Sequence, residues 1–214
     1  CFMRKISFTL LAGVAFLFFS CSGEKVYNAS DFGIVPNTGE DMTEEVAKAV
    51  ETIKAERGGK PAVLLFAAGE YDFYPDSANV REYYISNHDQ DNPKRVAVAL
   101  EGLKNLTLRG ESCGARADFY MNGRMLPISM LDCENCALQF VDVDTRSPQI
   151  TQVEVLENDV ENGYITYRIA PYVKYRIDNG RLVAYGSNWE FVPCWGIAFD
   201  GDTKHIVYTT SDIG

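Results

Sequence analysis

The sequence predicts a mainly β protein: one helix near the start, then paired short strands, then an antiparallel, hairpin-rich unit. Three observations carry this. A single helical stripe is well signalled, Val46, Val50 and Ile53 at i, i+4, i+7. After it, short apolar runs recur in pairs separated by short polar turns. From about residue 150 the runs alternate apolar with polar, as antiparallel strands with one wet face do.

Taken in order, residues 1–20 read as a leader and not as part of the fold. Met3 is followed by Arg4 and Lys5, then by a 14-residue apolar run, Ile6 to Phe19. That is a secretory signal, shorter than the ~20 residues needed to span a bilayer. Phe18-Phe19-Ser20-Cys21 resembles a bacterial lipobox, which makes Cys21 the expected lipidation site and Ser22 to Lys25 a short tether. The ordinary alternative is a plain signal peptide with an incidental cysteine. Residues 24–40 are loop-like. Asp41 with Glu44 three residues on reads as a capping box, and Gly58-Gly59 as C-cap residues. They bound one helix over 42–57.

Strands are expected over 62–66, 69–73, 95–100, 105–108, 127–131 and 137–143. Two segments are cousins: Leu100 to Gly110 and Leu131 to Phe140, each a strand, a short turn, an Asn, then apolar-x-apolar. Their asparagines, Asn105 and Asn135, lie 30 residues apart. Such spacing fits one coil of a parallel β-helix, with Asn tolerating the left-handed bend of each coil. It fits a β-sandwich with irregular turns equally well.

Alternating runs follow at 153–156, 164–169, 172–177 and 181–185. Asp178-Asn179-Gly180 between the last two is a tight hairpin turn. The same texture continues to Gly214 without a closing helix or polar cap, so a truncated piece of a longer chain is expected. The expected organisation is leader 1–20, coils 21–149 and an antiparallel barrel-like unit 150–214.

Composition narrows the function. The 214 residues are 46% hydrophobic and 23% charged, an ordinary globular balance. The net charge is −10, or −12 once Arg4 and Lys5 leave with the leader. An acidic chain is a poor binder of nucleic acid and of anionic lipid surfaces, so membrane contact is expected only through the anchor. A neutral sugar fits better. Cys133-Glu134-Asn135-Cys136 is a lone pair of cysteines. The two histidines, His88 and His205, have no partner at zinc-ligand spacing, so no metal site is expected. The cysteines read as small buried residues or as one exported disulfide.

A neutral sugar is held by rows of side chains that hydrogen-bond its hydroxyls. Asp142 and Asp144 face one side of a strand about 6.5 Å apart at ~3.3 Å per residue, with Arg146 two further on. This row is the candidate sugar groove, against the commoner reading of a solvated strand face. His88 beside Asp89, and Trp189 and Trp195, are weaker sugar contacts that a bonded turn and barrel packing explain as well.

Tyr27 to Gly33, the 42–57 helix and Leu65 to Tyr71 together resemble the opening of the pectate-lyase-like right-handed β-helix superfamily. More narrowly, four blocks in order resemble glycoside hydrolase family 110, the α-1,3-galactosidases. They are Tyr84-Ile85-Ser86-Asn87-His88-Asp89-Gln90; Val98-Ala99-Leu100 with Asn105 to Gly110; Gly123-Arg124-Met125-Leu126-Pro127; and Val141-Asp142-Val143-Asp144. The resemblance implies a right-handed parallel β-helix with the helix capping its first coil and β-barrels inserted. It implies an exported, metal-independent enzyme, without a cofactor, that removes terminal α-1,3-linked galactose with inversion. Its catalytic carboxylates lie after the first barrel and so are expected beyond Gly214. The partner implied is a galactose-terminated glycan. A non-catalytic glycan-binding module and a β-helix polysaccharide lyase or polygalacturonase remain the alternatives.

Overall fold

The computed structural model describes residues 23–85 and 92–207. The leader 1–20, Cys21 and the Ser86 to Gln90 part of the histidine block lie outside the described residues.

The chain enters through β1 (Lys25–Asn28) and a short 3-10 turn (Ala29–Phe32), then α1 (Thr43–Arg57). β2 (Ala62–Phe66), β3 (Gly69–Phe73), β4 (Asn79–Arg81) and β5 (Lys94–Glu101) follow. Next come β6 (Leu106–Gly110), β7 (Ala117–Met121), β8 (Leu126–Leu131), β9 (Ala137–Gln139) and β10 (Val141–Thr145). They build three sheets, visited in rotation. The first is β1-β2-β6-β9, the second β3-β7-β10, and both are parallel throughout. In the third, β5 runs parallel to β8 and β4 antiparallel to β5. Two circuits of the chain each add one strand to each sheet in turn, β2, β3 and β5, then β6, β7 and β8; β9 and β10 extend the first two sheets.

Alternation decides what faces inward. Leu64, Phe66, Leu106 and Leu108 from the first sheet meet Tyr71, Phe73, Phe119 and Met121 from the second and Val98 and Leu100 from the third. Phe119 is the hub, with ring centroids 5.1 Å from Phe66, 5.1 Å from Phe73 and 5.8 Å from Tyr71. Each such side chain contributes about 1.5–3 kcal/mol by leaving water. Tyr71 donates its hydroxyl to the Ala67 carbonyl at 2.8 Å. Burial, with Glu111 nearby, pushes its phenol up to about 12.

The helix forms where its stripe predicts. Val46, Ala49, Val50 and Ile53 are buried, and α1 packs against β2, β5 and the 3-10 turn. Gly58 ends it in the left-handed region (φ 54°), its N–H donating to Lys54 O. The N-terminus differs from the capping box. The N-cap is Met42, without a side-chain cap bond. Asp41, one residue earlier, accepts from the Thr43 N–H at 3.0 Å, the Thr43 hydroxyl at 2.6 Å, the Tyr74 N–H at 3.3 Å and the Ser77 hydroxyl. Its carboxylate thus ties the helix start to the loop after β3.

Both corner asparagines adopt the left-handed bend, Asn105 at φ 56° and Asn135 at φ 54°. They also stack: Asn135 Nδ2 donates to Asn105 Oδ1 at 3.2 Å, and Asn105 Nδ2 donates to Gly59 O at 2.7 Å. The run expected as one strand over 137–143 is broken at Phe140 (φ 54°), where the chain turns from the first sheet into the second. Gly110 makes the same corner one circuit earlier. A Cβ there would sit 2.2 Å from Phe140 O, so only glycine lets the two corners nest. β1 forms where a loop is expected, and β4 and β7 form where no strand is expected.

The second unit is antiparallel: β11 (Val153–Asp159) with β12 (Tyr164–Ile169), and β13 (Tyr175–Asp178) with β14 (Arg181–Gly186) and β15 (Trp189–Phe191). β13 starts later than the expected 172. Asn179 (φ 48°) and Gly180 (φ 77°) form the hairpin turn. Among the described residues of this unit only Val183 and Ala184 are buried hydrophobics. Among the described residues no helix is long and apolar enough to cross a membrane.

Candidate functional site

The outward face of the second sheet holds the sequence-predicted row. Asp142 and Asp144 alternate with Val141 and Val143 on β10 and are exposed. Register sets Glu70, Asp118 and Asp142 side by side across three strands, and Asp72, Tyr120 and Asp144 beside them. Parallel strands lie about 4.8 Å apart, so carboxylates stacked this way repel unless cations intervene. Two arginines do. Arg116, just before β7, grips both oxygens of Asp142, Nη2 to Oδ1 at 2.7 Å and Nε to Oδ2. Its hydrogen bonds hold the Asp142 carboxyl below the usual carboxylate range.

Arg146 does not continue the row along β10. It folds back across the sheet, its guanidinium 3.7 Å over the Tyr120 ring. Nη2 donates to Glu70 Oε2 at 2.7 Å and to Asp72 Oδ2 at 3.1 Å, and Nε donates to Asp72 Oδ1 at 3.0 Å. Asn122 Nδ2 adds a bond to Asp72 Oδ1 at 2.8 Å. Asp72 is only 5% exposed. Burial alone would raise its carboxyl; the bonds from Arg146 and Asn122 outweigh burial and hold it below its ordinary value. Arg146 is correspondingly shifted up, chiefly by Asp72. Asp144 accepts from the Thr145 N–H at 2.7 Å.

This arrangement fixes what the face can do. A glycosidic acid must hold a proton at working pH, which requires a raised carboxyl. Asp142 and Asp72 are shifted the other way, and Arg116 occupies both oxygens of Asp142. The face therefore offers ionised acceptors and an aromatic ring capped by a cation, chemistry for hydrogen-bonding neutral hydroxyls or for cross-linking strands. Glu70, Asp72, Arg116, Asp118 and Tyr120 escaped the sequence reading. The signal was present: Gly69 to Phe73 and Ala117 to Met121 both alternate inward apolar with outward polar, as Val141 to Thr145 does.

A concavity of about 360 Å³ lies where the two units meet, lined by Lys94, Arg95, Arg124, Met125, Gln149 and Asn188 among others. Here Asn188 (φ 56°) clamps one residue of the β7–β8 turn. Its Oδ1 accepts from the Arg124 N–H at 2.7 Å and its Nδ2 donates to Arg124 O at 3.1 Å. A Cβ on Gly123 would meet Asn188 Oδ1 at 2.5 Å and Ser187 O at 3.1 Å. Trp189 stacks on Phe191 with centroids 5.8 Å apart, whereas Trp195 is 69% exposed. Among the described residues no group of three or more His, Cys, Asp or Glu is arranged to hold a metal ion.

Comparison with known proteins adds what the geometry lacks. Residues 151–214 match the family model described as GLAA-B beta-barrel domain I. The chain is 49% identical over 196 residues to "Alpha-1,3-galactosidase B" of Bacteroides fragilis, covering 91% of the chain and 32% of that protein. It is 49% identical over 195 residues to the protein of the same name from Phocaeicola vulgatus, covering 90% and 32%. It is 32% identical over 171 residues to "Alpha-1,3-galactosidase A" of Shewanella woodyi, covering 80% and 27%. The chain spans about a third of the length of the first two relatives. By this similarity the chain resembles part of the proteins named α-1,3-galactosidase A and B, and its residues 151–214 resemble GLAA-B beta-barrel domain I.

Proposed function

We propose that the chain is the N-terminal part of an exported glycosidase that removes terminal α-1,3-linked galactose from glycans, branched or linear, with inversion. The observation that carries this reading is the 49% identity held across 91% of the chain to an α-1,3-galactosidase B. In this reading the three sheets are the opening coils of a right-handed parallel β-helix, α1 closes their end, and residues 150–214 begin an inserted barrel. Rotation of the chain through three sheets, and corners that stack asparagine on asparagine, support the coil reading. Residues 1–20 direct export, and Cys21 carries a lipid that anchors the enzyme in the periplasm or at the cell surface.

The acid and base belong to the remainder of the parent enzyme. Asp142 and Arg146 are committed to Arg116, Glu70 and Asp72, which suits a scaffold and not a reacting pair. The test uses the full-length open reading frame on an α-1,3-galactosyl disaccharide, followed by NMR of the anomeric protons. Release of β-galactose first is the expected result. Binding without release would favour a glycan-binding module, and cleavage of polygalacturonate a polysaccharide-degrading β-helix enzyme. The 214-residue chain alone is expected to show no turnover.

A further inference from the structure

The corner between β8 and β9 carries two thiols where the preceding circuit carries two leucines. Leu103 and Leu106 are 3% and 2% exposed and fill the inside of their corner. Thirty residues on, the equivalent positions are Cys133 and Cys136. Backbone bonds lock the corners together: Glu134 N–H donates to Leu103 O and Asn105 N–H to Glu134 O, both at 2.9 Å. The cysteine side chains consequently take the inward direction of the leucines and pack against the same core.

The thiols are half-buried, and they are neighbours of one another. Cys133 Sγ donates to Leu100 O at 3.3 Å and Cys136 Sγ to Glu134 O at 3.7 Å. Burial, with Cys133 beside it, raises the Cys136 thiol above its ordinary value. The left-handed Asp132 (φ 51°) and Asn135 (φ 54°) bend the backbone around the pair. The other two cysteines of the described residues, Cys113 and Cys194, are exposed and lie on other loops. A corner built to fit two leucines is filled less completely by two thiols; joining them draws the sulfurs together and ties the bend covalently.

We propose that Cys133 and Cys136 close an intramolecular disulfide, a redox staple across the β8–β9 corner. The inference rests on the reading of an exported chain, because such bonds persist in oxidising compartments. The chemistry is thiol–disulfide exchange. One cysteine attacks the S–S bond of a disulfide-bearing oxidant and forms a mixed disulfide, and the other displaces it. The pair gives up two protons and two electrons, and the oxidant's S–S bond opens to two thiols.

The test uses the full chain, reduced and then equilibrated with oxidised glutathione. Iodoacetamide is added before and after reduction, and peptides are mapped by mass. Expected is a Cys133–Cys136 peptide two hydrogens lighter and blocked to alkylation until reduced, with Cys113 and Cys194 alkylated throughout. The C113S/C194S variant should keep the light peptide and C133S/C136S should lose it. Alkylation of both Cys133 and Cys136 in the oxidised sample, or linkage of either to Cys113 or Cys194, overturns the proposal. Because the oxidant is supplied in the tube, this result is independent of export, which cell fractionation of the full-length protein reads separately.

Discussion

Asp72 shows how one side chain can organise a sheet face. It is 5% exposed, and a buried carboxylate without a partner is costly. Arg146, at 36% side-chain exposure, relieves that cost from the far strand of the sheet. Replacing Arg146 with Met, which keeps most of the stem over Tyr120, should destabilise the fold by about 1–3 kcal/mol, the range for a buried group left unsatisfied, tempered by solvent screening at the exposed arginine. Urea denaturation measures it, and an unchanged midpoint would sink the assignment. Because folding depresses the Asp72 carboxyl, its contribution is complete above the unfolded value of about 3.9. It is lost as pH falls through the lower folded value. Wild type should therefore lose more stability than R146M on acidification below about pH 4, as acid titration of the unfolding midpoint would show.

The stacked parallel strands are held at their corners by repeated asparagines and by one glycine that no other residue can replace without strain. Asn135 has φ 54° and bonds Asn105, which bonds Gly59 O in turn. Asn135→Ala loses the side-chain bond and keeps the left-handed backbone. A cost of about 1–3 kcal/mol follows, roughly 1–2 from conformation and the remainder from the bond. Asn135→Gly relieves the conformational part only and should recover part of the loss. Thermal melts of the two variants distinguish backbone from side chain; equal losses would show that the bend is not strained. The ladder also explains why a local feature repeats at 30 residues: a bond between neighbouring asparagines requires the same register in each corner.

In the molecule as a whole, burial is uneven. Most of the buried hydrophobic residues lie between Tyr27 and Met121, and the antiparallel unit contributes only Val183 and Ala184 among the described residues. Asn188 on Arg124, above Gly123, joins the two units. Asn188→Ala should speed proteolytic nicking within 150–207 several-fold while leaving 24–85 and 92–145 protected, since local opening tracks how few contacts hold a segment. Limited trypsin digestion followed by mass mapping reads this out, and an unaltered cleavage pattern would remove Asn188 from the junction.

The sequence alone determined what depends on near neighbours. Helical spacing placed Val46, Val50 and Ile53 on one buried stripe, Gly58 ended the helix, Asn179-Gly180 turned the hairpin, and Asn105 and Asn135 marked the bends. Each is a local matter of φ, ψ and period. β7 was equally legible in its alternation and was overlooked, yet Phe119 at its centre is the core hub. What only tertiary structure decided is the role of the acidic row. Arg146 lies 74 residues from Asp72 and 76 from Glu70 along the chain. Parallel stacking alone brings them within hydrogen-bond reach and ties the strands that carry the candidate sugar groove, because the strongest partner of a charge is the nearest opposite charge in space, wherever it stands in the chain.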